Sequence, residues 1–336
     1  MVRDARGSGK GHPAPFVLGL LSGGHIGGVA ADPDTAAVTP ARWESLLHGA
    51  VDMHVHTAGD MFPRLLDDIE AATLARDKGL AAMVLKGHVT GTADRATVVR
   101  QHVPGIEVFG SLVLNGPVGG LNPEAVQAAI RMGAKVIWGP TMWARNHATY
   151  IRTHPSRGYA DLGMRFPDDG ITVLDARGEL LPVVRDILDQ VARAGITFCT
   201  GHLSVEEAKV LVPEARRIGV ERLVVSHPEY EPMSYSIADQ VWLADAGAVI
   251  EHTMSCHLPF WFPTDRARYR TVWDVYDMIK AVGAERCVLS SDLGQVHSPP
   301  PTEGFREFMQ MFVSLGASQK EIEVMTRTNP SRLLGL

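Results

Sequence analysis

Eight short apolar runs, separated by longer amphipathic stretches, are the feature that most constrains the fold of this chain of 336 residues. The runs occupy residues 51–56, 81–88, 107–115, 135–142, 196–204, 222–228, 248–254 and 287–294. Each is nearly continuous in apolar residues, which is typical of strands that are buried on both faces. Five of the seven intervals between run starts span 26 to 30 residues, the length of one strand–helix unit.

The stretches between the runs have the pattern of helices that end at a glycine. We predict helices over residues 67–79, 122–133, 179–195, 204–219, 235–247 and 272–283. Ser204 and Glu207 have the spacing of a capping box, and Asn122 precedes a proline at the first helical position. Eight strand–helix units in a row predict an α/β protein, a (β/α)8 TIM barrel, in preference to an open sheet.

No linker divides the chain after residue 50, so residues 49–336 are predicted to form one barrel domain. Residues 1–48 are predicted to be an irregular N-terminal extension, because their apolar run at 16–21 is interrupted by Gly19 and is too short to span a membrane. Two long loops, 143–175 and 257–270, follow the carboxyl ends of strands. They are predicted to lie at the C-terminal face of the barrel and to act as lids.

The charge of the chain argues against nucleic acid and membrane as partners, because the formal net charge is -6 and no Lys/Arg cluster is present. A small-molecule substrate is therefore the expected partner, together with copies of the chain itself in a homo-oligomer. The three cysteines are an odd number and widely spaced, which indicates free thiols in a reducing compartment. We accordingly predict a cytoplasmic protein.

Histidines fall at the ends of the predicted strands. His54 and His56 end the first run, and two further positions, His202 and His227, lie late in the fifth run and at the end of the sixth. Asp292 closes the eighth run. Because carboxyl ends of parallel strands meet at one rim of a barrel, these side chains should converge there. Neutral imidazole and carboxylate are the ligands that zinc prefers, so we predict one or two divalent metal ions, with Zn favoured over Mn or Fe.

Strand alternation leaves the direction of the first two histidines open. Side chains at positions i and i+2 point the same way, so His54 and His56 both face the barrel axis or both face outward. In the second case Met53 and Val55 would turn inward.

The motifs resemble those of the amidohydrolase superfamily from residue 46 to the end of the chain. They are HVH in the first run, GHLS in the fifth, SHP in the sixth, SSD in the eighth and the closing NPSRLLGL. The opening LLHGAVDMHVHTAGD, together with MVLKGH, is similar to an uncharacterised group within it, DUF6282. This resemblance implies a (β/α)8 metal-dependent hydrolase.

The resemblance also implies roles for individual residues. His54, His56 and Asp292 would bind the more buried metal, and His202 and His227 a second one. Asp292 would act as general base. The metal, or His202 or His227 if only one ion is bound, would polarise the substrate carbonyl. A bridging lysine or glutamate from the fourth strand is missing, because that run offers only Lys135 at its opposite end.

Lys86, near the end of the second run, is the substitute for the missing ligand. A carboxylated Lys86 would bridge two metals, since burial lowers the pKa of an ammonium group and makes the amine nucleophilic. Two other roles stay open. Lys86 would bind a substrate carboxylate as a cation, or it would extend to the barrel rim without a role in the site.

The predicted reaction is attack of a metal-activated water on an amide, lactam, imide or lactone of a small, anionic substrate. The candidate substrate-binding residues follow the strand ends and are His88, Trp143, Arg145, His147, His252 and His297. His252 alternates with Glu251, so only one of the two can face the pocket. Three alternatives are a metal-dependent non-oxidative decarboxylase on the same fold, a metal-free binding protein, and a phosphoesterase suggested by the opening HVHT.

Overall fold

The computed structural model describes residues 45–154, 169–258 and 270–336. Most of the predicted extension at 1–48 lies outside these residues, as do the central parts of both predicted lids. None of the helices in the described ranges is long and apolar enough to cross a membrane.

The strands pair in parallel throughout, in the order of the sequence. They are β1 (Val51–Val55), β2 (Ala82–Leu85), β3 (Glu107–Phe109), β4 (Ser111–Val113), β5 (Val136–Trp138), β6 (Thr197–Cys199), β7 (Leu223–Val225), β8 (Val249–Thr253) and β9 (Cys287–Ser290). One sheet contains β1 to β3 and the other contains β4 to β9. β3 and β4 follow one another along the third run and count as one strand of the barrel. The described strands therefore make eight barrel strands.

The third predicted run is interrupted at Gly110, which corrects the expectation of one strand over 107–115. The start of the helix at Ala93 approaches Gly110 so closely that a Cβ there would lie 2.3 Å from Ala93 Cα. Side chains replace the interrupted ladder. The Ser111 hydroxyl donates to Leu85 O at 2.7 Å, and Ser111 N donates to Thr92 Oγ1 at 2.8 Å.

Hydrogen bonds between β1 and the residues after β9 close the ring. Asp292 N donates to His54 O at 2.8 Å, and His56 N donates to Leu293 O at 2.8 Å. Val55 and Leu293 form a parallel bridge at the same place. The predicted (β/α)8 barrel is therefore confirmed.

Helices follow most strands. They are α1 (Asp68–Asp77), α2 (Ala93–His102), α3 (Pro123–Arg131), α4 (Arg145–Thr153), α5 (Pro182–Ala194), α6 (Val205–Ile218), α7 (Ile237–Asp245), α8 (Val272–Val282), α9 (Pro301–Ser314), α10 (Gln319–Glu323) and α11 (Asn329–Leu334). All six predicted helices are present, and Ser204 forms the predicted capping box with Glu207. Five helices were not predicted: α2, α4, α9, α10 and α11. The buried faces of α2 and α4 are narrow: α4 buries only His147 and Ala148.

The apolar core has two layers, inside and outside the barrel wall. The inner cluster includes Val51, Met53, Val136, Val224 and Val288. The outer cluster packs alternate strand residues against the helices. Two layers of burial explain why the strand sequences are continuously apolar.

A β-bulge in β1 answers the question of direction that strand alternation left open. Asp52 pairs with Met83 and Val55 with Leu85, so three steps on β1 oppose two on β2. One extra residue reverses the alternation within the strand. Met53 belongs to the inner cluster below the bulge, while His54 packs against the inner residue Trp138 above it. The bulge therefore lets His54 and Met53 both face the inside of the barrel.

We expect Gly110→Ala to destabilise the protein by ~1–3 kcal/mol, because the new methyl group would overlap the backbone of α2. The matched control is Gly91→Ala, whose Cβ would meet Leu112 Cδ1 at an ordinary 3.6 Å. The control should change the free energy of unfolding by less than about 0.5 kcal/mol. Urea denaturation measures both, and equal losses would contradict the close approach at Gly110.

Candidate metal centre

The polar side chains predicted to converge do meet at the carboxyl-terminal rim of the barrel. Six of the predicted residues line one cavity: His56, Lys86, His88, His202, His227 and Asp292. His54 lies against this group, with its ring centroid 5.4 Å from that of His56 and 5.7 Å from that of His227. The strand ends therefore place imidazoles and a carboxylate around a single space.

Asp292 connects the two histidines of β1. Its Oδ1 atom lies 2.9 Å from His54 Nε2 and 3.0 Å from His56 Nε2. The ligand atoms of these three residues all lie within 4.8 Å of one another. Asp292 has a φ of 52° and His227 a φ of 23°, so two of the rim residues adopt a left-handed backbone. Such backbone strain at non-glycine residues is concentrated at functional sites.

A buried carboxylate fixes the orientation of His54. His54 Nδ1 lies 3.3 Å from Glu251 Oε1, and both side chains are almost completely buried. Burial lowers the pKa of His54, but Asp292 and Glu251 raise it, and the net shift is upward. When Nδ1–H donates to Glu251, Nε2 is left with a free lone pair. Metal-binding histidines are usually held in this way.

The amine of Lys86 sits directly beside His54. Lys86 Nζ lies 2.8 Å from His54 Nε2 and 4.2 Å from the centroid of the Trp138 ring. Burial lowers the pKa of Lys86, while Asp292 and Glu251 oppose the shift. A nitrogen in this place can act as a fixed cation at the candidate centre or, once its proton is lost, as a nucleophile.

A second group of histidines lies on the other side of the cavity. The rings of His202 and His227 are 5.0 Å apart, and His147 stacks on His202 at 4.6 Å. Burial lowers the pKa of all three, that of His147 to about 3. The Nδ1 atoms of His147 and His202 are only 2.6 Å apart, so between two neutral rings one must donate and the other accept.

The donor set passes a test of fit for a divalent cation. Buried His227 Nδ1 has no hydrogen-bond partner among the residues that the structure describes. A buried nitrogen in that state requires an explanation, and a bound ion supplies one. Neutral imidazoles and an ionised carboxylate are also the protonation states that ligands need. The pKa of Asp292 is well below its usual value, because His54 and His56 outweigh the effect of burial, which alone would raise it.

Sequence patterns missed two side chains that contact these ligands. Ser255 Oγ donates to Asp292 Oδ2 at 2.6 Å, so the second carboxylate oxygen is also held. Arg64 Nη2 lies 3.2 Å from His56 Nδ1 and 2.6 Å from Asp60 Oδ2. Ser255 lies in a short 3-10 helix after β8, and Arg64 lies in the connection between β1 and α1. Spacing carries no signal in such connections, and only the closed barrel brings both residues to the rim.

The residues predicted to bind substrate separate into two groups. His88 lines the cavity and stacks on His56 at 4.7 Å, and His147 lies behind His202. Trp143 is buried in a small apolar cluster with Phe62 and Met142. The Trp143 ring therefore packs beside the rim.

Three other predicted residues are not among the described residues that line the cavity. Arg145 is exposed and donates to Asp169 O at 3.2 Å. His297 is exposed on the loop after β9. His252 faces away from the cavity, because Glu251 takes the inward position of β8. The predicted contact of these three with substrate is therefore not supported by their placement.

His252 is hydrogen-bonded to the buried carboxylate of Glu229. His252 Nδ1 lies 3.0 Å from Glu229 Oε2, both side chains are fully buried, and Thr253 N donates to Glu229 Oε1 at 2.9 Å. Burial raises the pKa of Glu229, but its neighbours, His252 first among them, together lower it by more, so the net shift of the pKa is downward. The pair fixes the turn that carries Ser255 to Asp292.

The described residues define a closed parallel (β/α)8 barrel with a polar carboxyl-terminal rim. The chain belongs to DUF6282, a family of unknown function, whose model matches residues 49–251. This confirms the family that the opening motifs predicted. No curated protein matches the sequence.

Solved structures share the fold at low sequence identity. The probable dipeptidase PvdM from Pseudomonas aeruginosa has a TM-score of 0.58 and 12% identity, covering 88% of this chain and 98% of that one. An amidohydrolase from the same organism has a TM-score of 0.53 and 13% identity, covering 88% and 98%. An organophosphorus hydrolase from Deinococcus radiodurans has a TM-score of 0.54 and 16% identity, covering 85% and 92%. At such identity the likeness establishes the fold.

We expect Glu229→Ala to destabilise the protein by about 3–5 kcal/mol, because it leaves His252 and Thr253 N without their buried acceptor. The control is Lys280→Ala in the exposed Lys280–Glu321 pair, which should cost about 1 kcal/mol or less. Urea denaturation compares the two variants. A loss no larger than that of the control would contradict a structural role for the buried pair.

The same pair predicts a pH dependence. Because the folded-state pKa of Glu229 is depressed, its contribution to stability is complete above the ordinary value of 4.5 and is lost as the pH falls through the folded value. The difference in the free energy of unfolding between wild type and Glu229→Gln should therefore be constant above pH 4.5 and shrink as the pH falls through the folded-state pKa of Glu229.

Proposed function

We propose that this protein is a metal-dependent hydrolase that cleaves an amide, lactam, imide or lactone bond in a small anionic substrate. The observation that carries the proposal is the meeting of His54 and His56 at one oxygen of Asp292, at 2.9 and 3.0 Å. This happens at the carboxyl-terminal rim, the face at which barrel enzymes carry their active sites. Zinc suits the imidazole and carboxylate donors best, with Mn and Fe as alternatives.

Each candidate ligand has a distinct part in the proposal. His54, His56 and Asp292 would hold one ion, and His202 and His227 would hold a second one if two are bound. β5 is the strand of the fourth run, and it offers no side chain that could bridge two metal ions. Its end is occupied by Trp138, whose ring lies 4.6 Å from that of His54. A bridged pair of ions would therefore need Lys86, in its carboxylated form, as the bridging ligand.

A divalent cation lowers the pKa of water that it binds from ~15.7 toward ~7, and so supplies hydroxide at neutral pH. Asp292 is ionised and is the base that would accept the proton and return it to the leaving group. The Ser255 hydroxyl holds Asp292 Oδ2 at 2.6 Å and so fixes the plane of the carboxylate. His227 would orient and polarise the carbonyl oxygen from the opposite side of the cavity.

The charge of the cavity supports an anionic substrate. Lys86 lines the cavity beside His88, whereas Arg145, the other predicted cation, is exposed and bonded to Asp169 O. An ammonium group on a buried rim attracts a carboxylate more strongly than one in water would. Lys86 and His88 are therefore the proposed recognition pair, with His147 supporting His202 behind them.

A metal-dependent decarboxylase is the second candidate. Trp138 at the end of β5 and the amine of Lys86 beside His54 favour a single metal and a bound substrate carboxylate. Carbon dioxide release, measured against the appearance of a new carboxylate group, separates the two reactions. We further propose a cytoplasmic location, which the three free cysteines support.

Protein purified from zinc-supplemented medium should contain at least one ion per chain. His54→Ala and Asp292→Ala should lose most of that metal, because each removes a ligand from the triad. The control His102→Ala changes an exposed histidine on α2 and should retain it. Elemental analysis measures all four proteins, and equal metal content in the two ligand variants and the control would contradict the proposal.

Lys86→Met should leave the metal content unchanged, because the geometry around His54 Nε2 supports an amine cation in this place. Elemental analysis and ¹³C NMR after exchange with labelled bicarbonate test this together. A carbamate signal in wild type, with loss of metal in the variant, would instead assign Lys86 as a carboxylated ligand.

A further inference from the structure

We propose that Asp52 is a positioning residue for the metal centre. Its buried carboxylate stabilises the bulge that turns His54 into the barrel, and it holds the strand end that carries Asp292 alongside. This inference rests on the proposed metal-dependent function. It concerns a residue that touches neither the cavity nor any ligand atom.

The carboxylate of Asp52 is buried beside apolar strand residues. Asp52 is 1% exposed and pairs in the ladder with Met83, a member of the outer apolar cluster. Its position therefore faces the layer between strands and helices, where the other strand residues are apolar. A buried carboxylate in such surroundings is expensive unless hydrogen bonds satisfy it.

The hydrogen bonds of Asp52 go to two strands at once. Its Oδ1 atom accepts from His54 N at 3.2 Å and from Ser291 N at 3.0 Å. The first bond lies within the bulge, where an extra residue disrupts the regular ladder. The second crosses to the residue before Asp292.

Two further hydrogen bonds join the strand ends, and in both of them His54 O is the acceptor. Ser291 Oγ donates to His54 O at 3.1 Å, and Asp292 N donates to the same oxygen at 2.8 Å. The backbones of His54 and Asp292 are thus linked through three hydrogen bonds that involve Asp52 or Ser291 and one direct bond. Since the side chains of His54 and Asp292 approach to 2.9 Å, a small shift of either backbone would separate the ligand atoms.

The experiment compares Asp52→Ala, Asp52→Asn and Thr197→Val in the full chain. Asparagine keeps the accepting oxygen and alanine removes it. Thr197→Val is the control: it removes an equally buried hydrogen bond, Thr197 Oγ1 to Leu333 O at 2.6 Å, at the start of β6. Zn²⁺ affinity is measured by calorimetry, the Co²⁺-substituted centre by visible absorption, and the free energy of unfolding by urea denaturation.

We expect Asp52→Ala to weaken Zn²⁺ binding by about 10–100-fold, the effect usual for residues that orient metal ligands, and to change the Co²⁺ spectrum. Asp52→Asn should restore most of the affinity and the wild-type spectrum. Thr197→Val should lose stability with an unchanged Zn²⁺ affinity. A role in stability alone would give all three variants wild-type affinity.

Wild-type Zn²⁺ affinity in Asp52→Ala would overturn the inference, as would equal losses in the alanine and asparagine variants. If Asp52→Ala does not fold, Asp52→Glu replaces it, because the longer side chain keeps the charge but cannot occupy the same place in the bulge. It should lose affinity where asparagine keeps it. If wild type itself binds no Zn²⁺, the proposed function fails as well; if it binds and only His54→Ala abolishes binding, the inference alone fails.

Discussion

Closure of the barrel between β1 and β9 is the constraint on which the candidate site depends. Two hydrogen bonds form this junction, one from Asp292 N to His54 O and one from His56 N to Leu293 O. They join strand ends that are distant in the chain, since Asp292 follows His56 by 236 positions. Without that junction the carboxylate of one end would not reach the imidazoles of the other. The same junction places Asp52 and Ser291 next to each other behind the site. Fold and chemistry are therefore tied at a single seam.

The seam also controls the electrostatics of the site. His56, His88 and His202 are buried, and burial is the main reason that their pKa values are well below the usual value. Asp292 stays ionised because two imidazoles face it. The result is three neutral imidazoles near one ionised carboxylate, the protonation states in which these groups bind a divalent cation. Lys86 contributes its amine to this space, 2.8 Å from His54 Nε2.

Sequence periodicity was sufficient for the barrel, and strand ends were sufficient to find His54, His56, His202, His227 and Asp292. Periodicity of two could not reveal the bulge, because one inserted residue leaves the apolar run continuous while it reverses the faces. Alternation also could not choose between Glu251 and His252, since that choice depends on Glu229 from the neighbouring loop. Ser255 and Arg64 were missed for a related reason: their contacts are made by loops whose direction is set only after the barrel closes.

The predictions for substrate-binding residues were poorest at the start of the predicted lid 143–175. Arg145 had the right charge and followed the right strand, but it opens α4 on the exposed face, and His147 two residues later is the one that turns inward. At the start of this helix, Ala144 N–H donates to Thr141 O and Arg145 N–H donates to Ile171 O. The bond to Ile171 is a non-local contact that composition does not encode.

The metal centre is tested most sharply by a crystal structure of the protein purified with zinc, with anomalous scattering recorded on both sides of the zinc absorption edge. We expect an anomalous peak bonded to His54, His56 and Asp292 at Zn–N and Zn–O distances of about 2.0–2.2 Å. An anomalous map without a peak between these three side chains, in protein that contains zinc, would contradict this expectation.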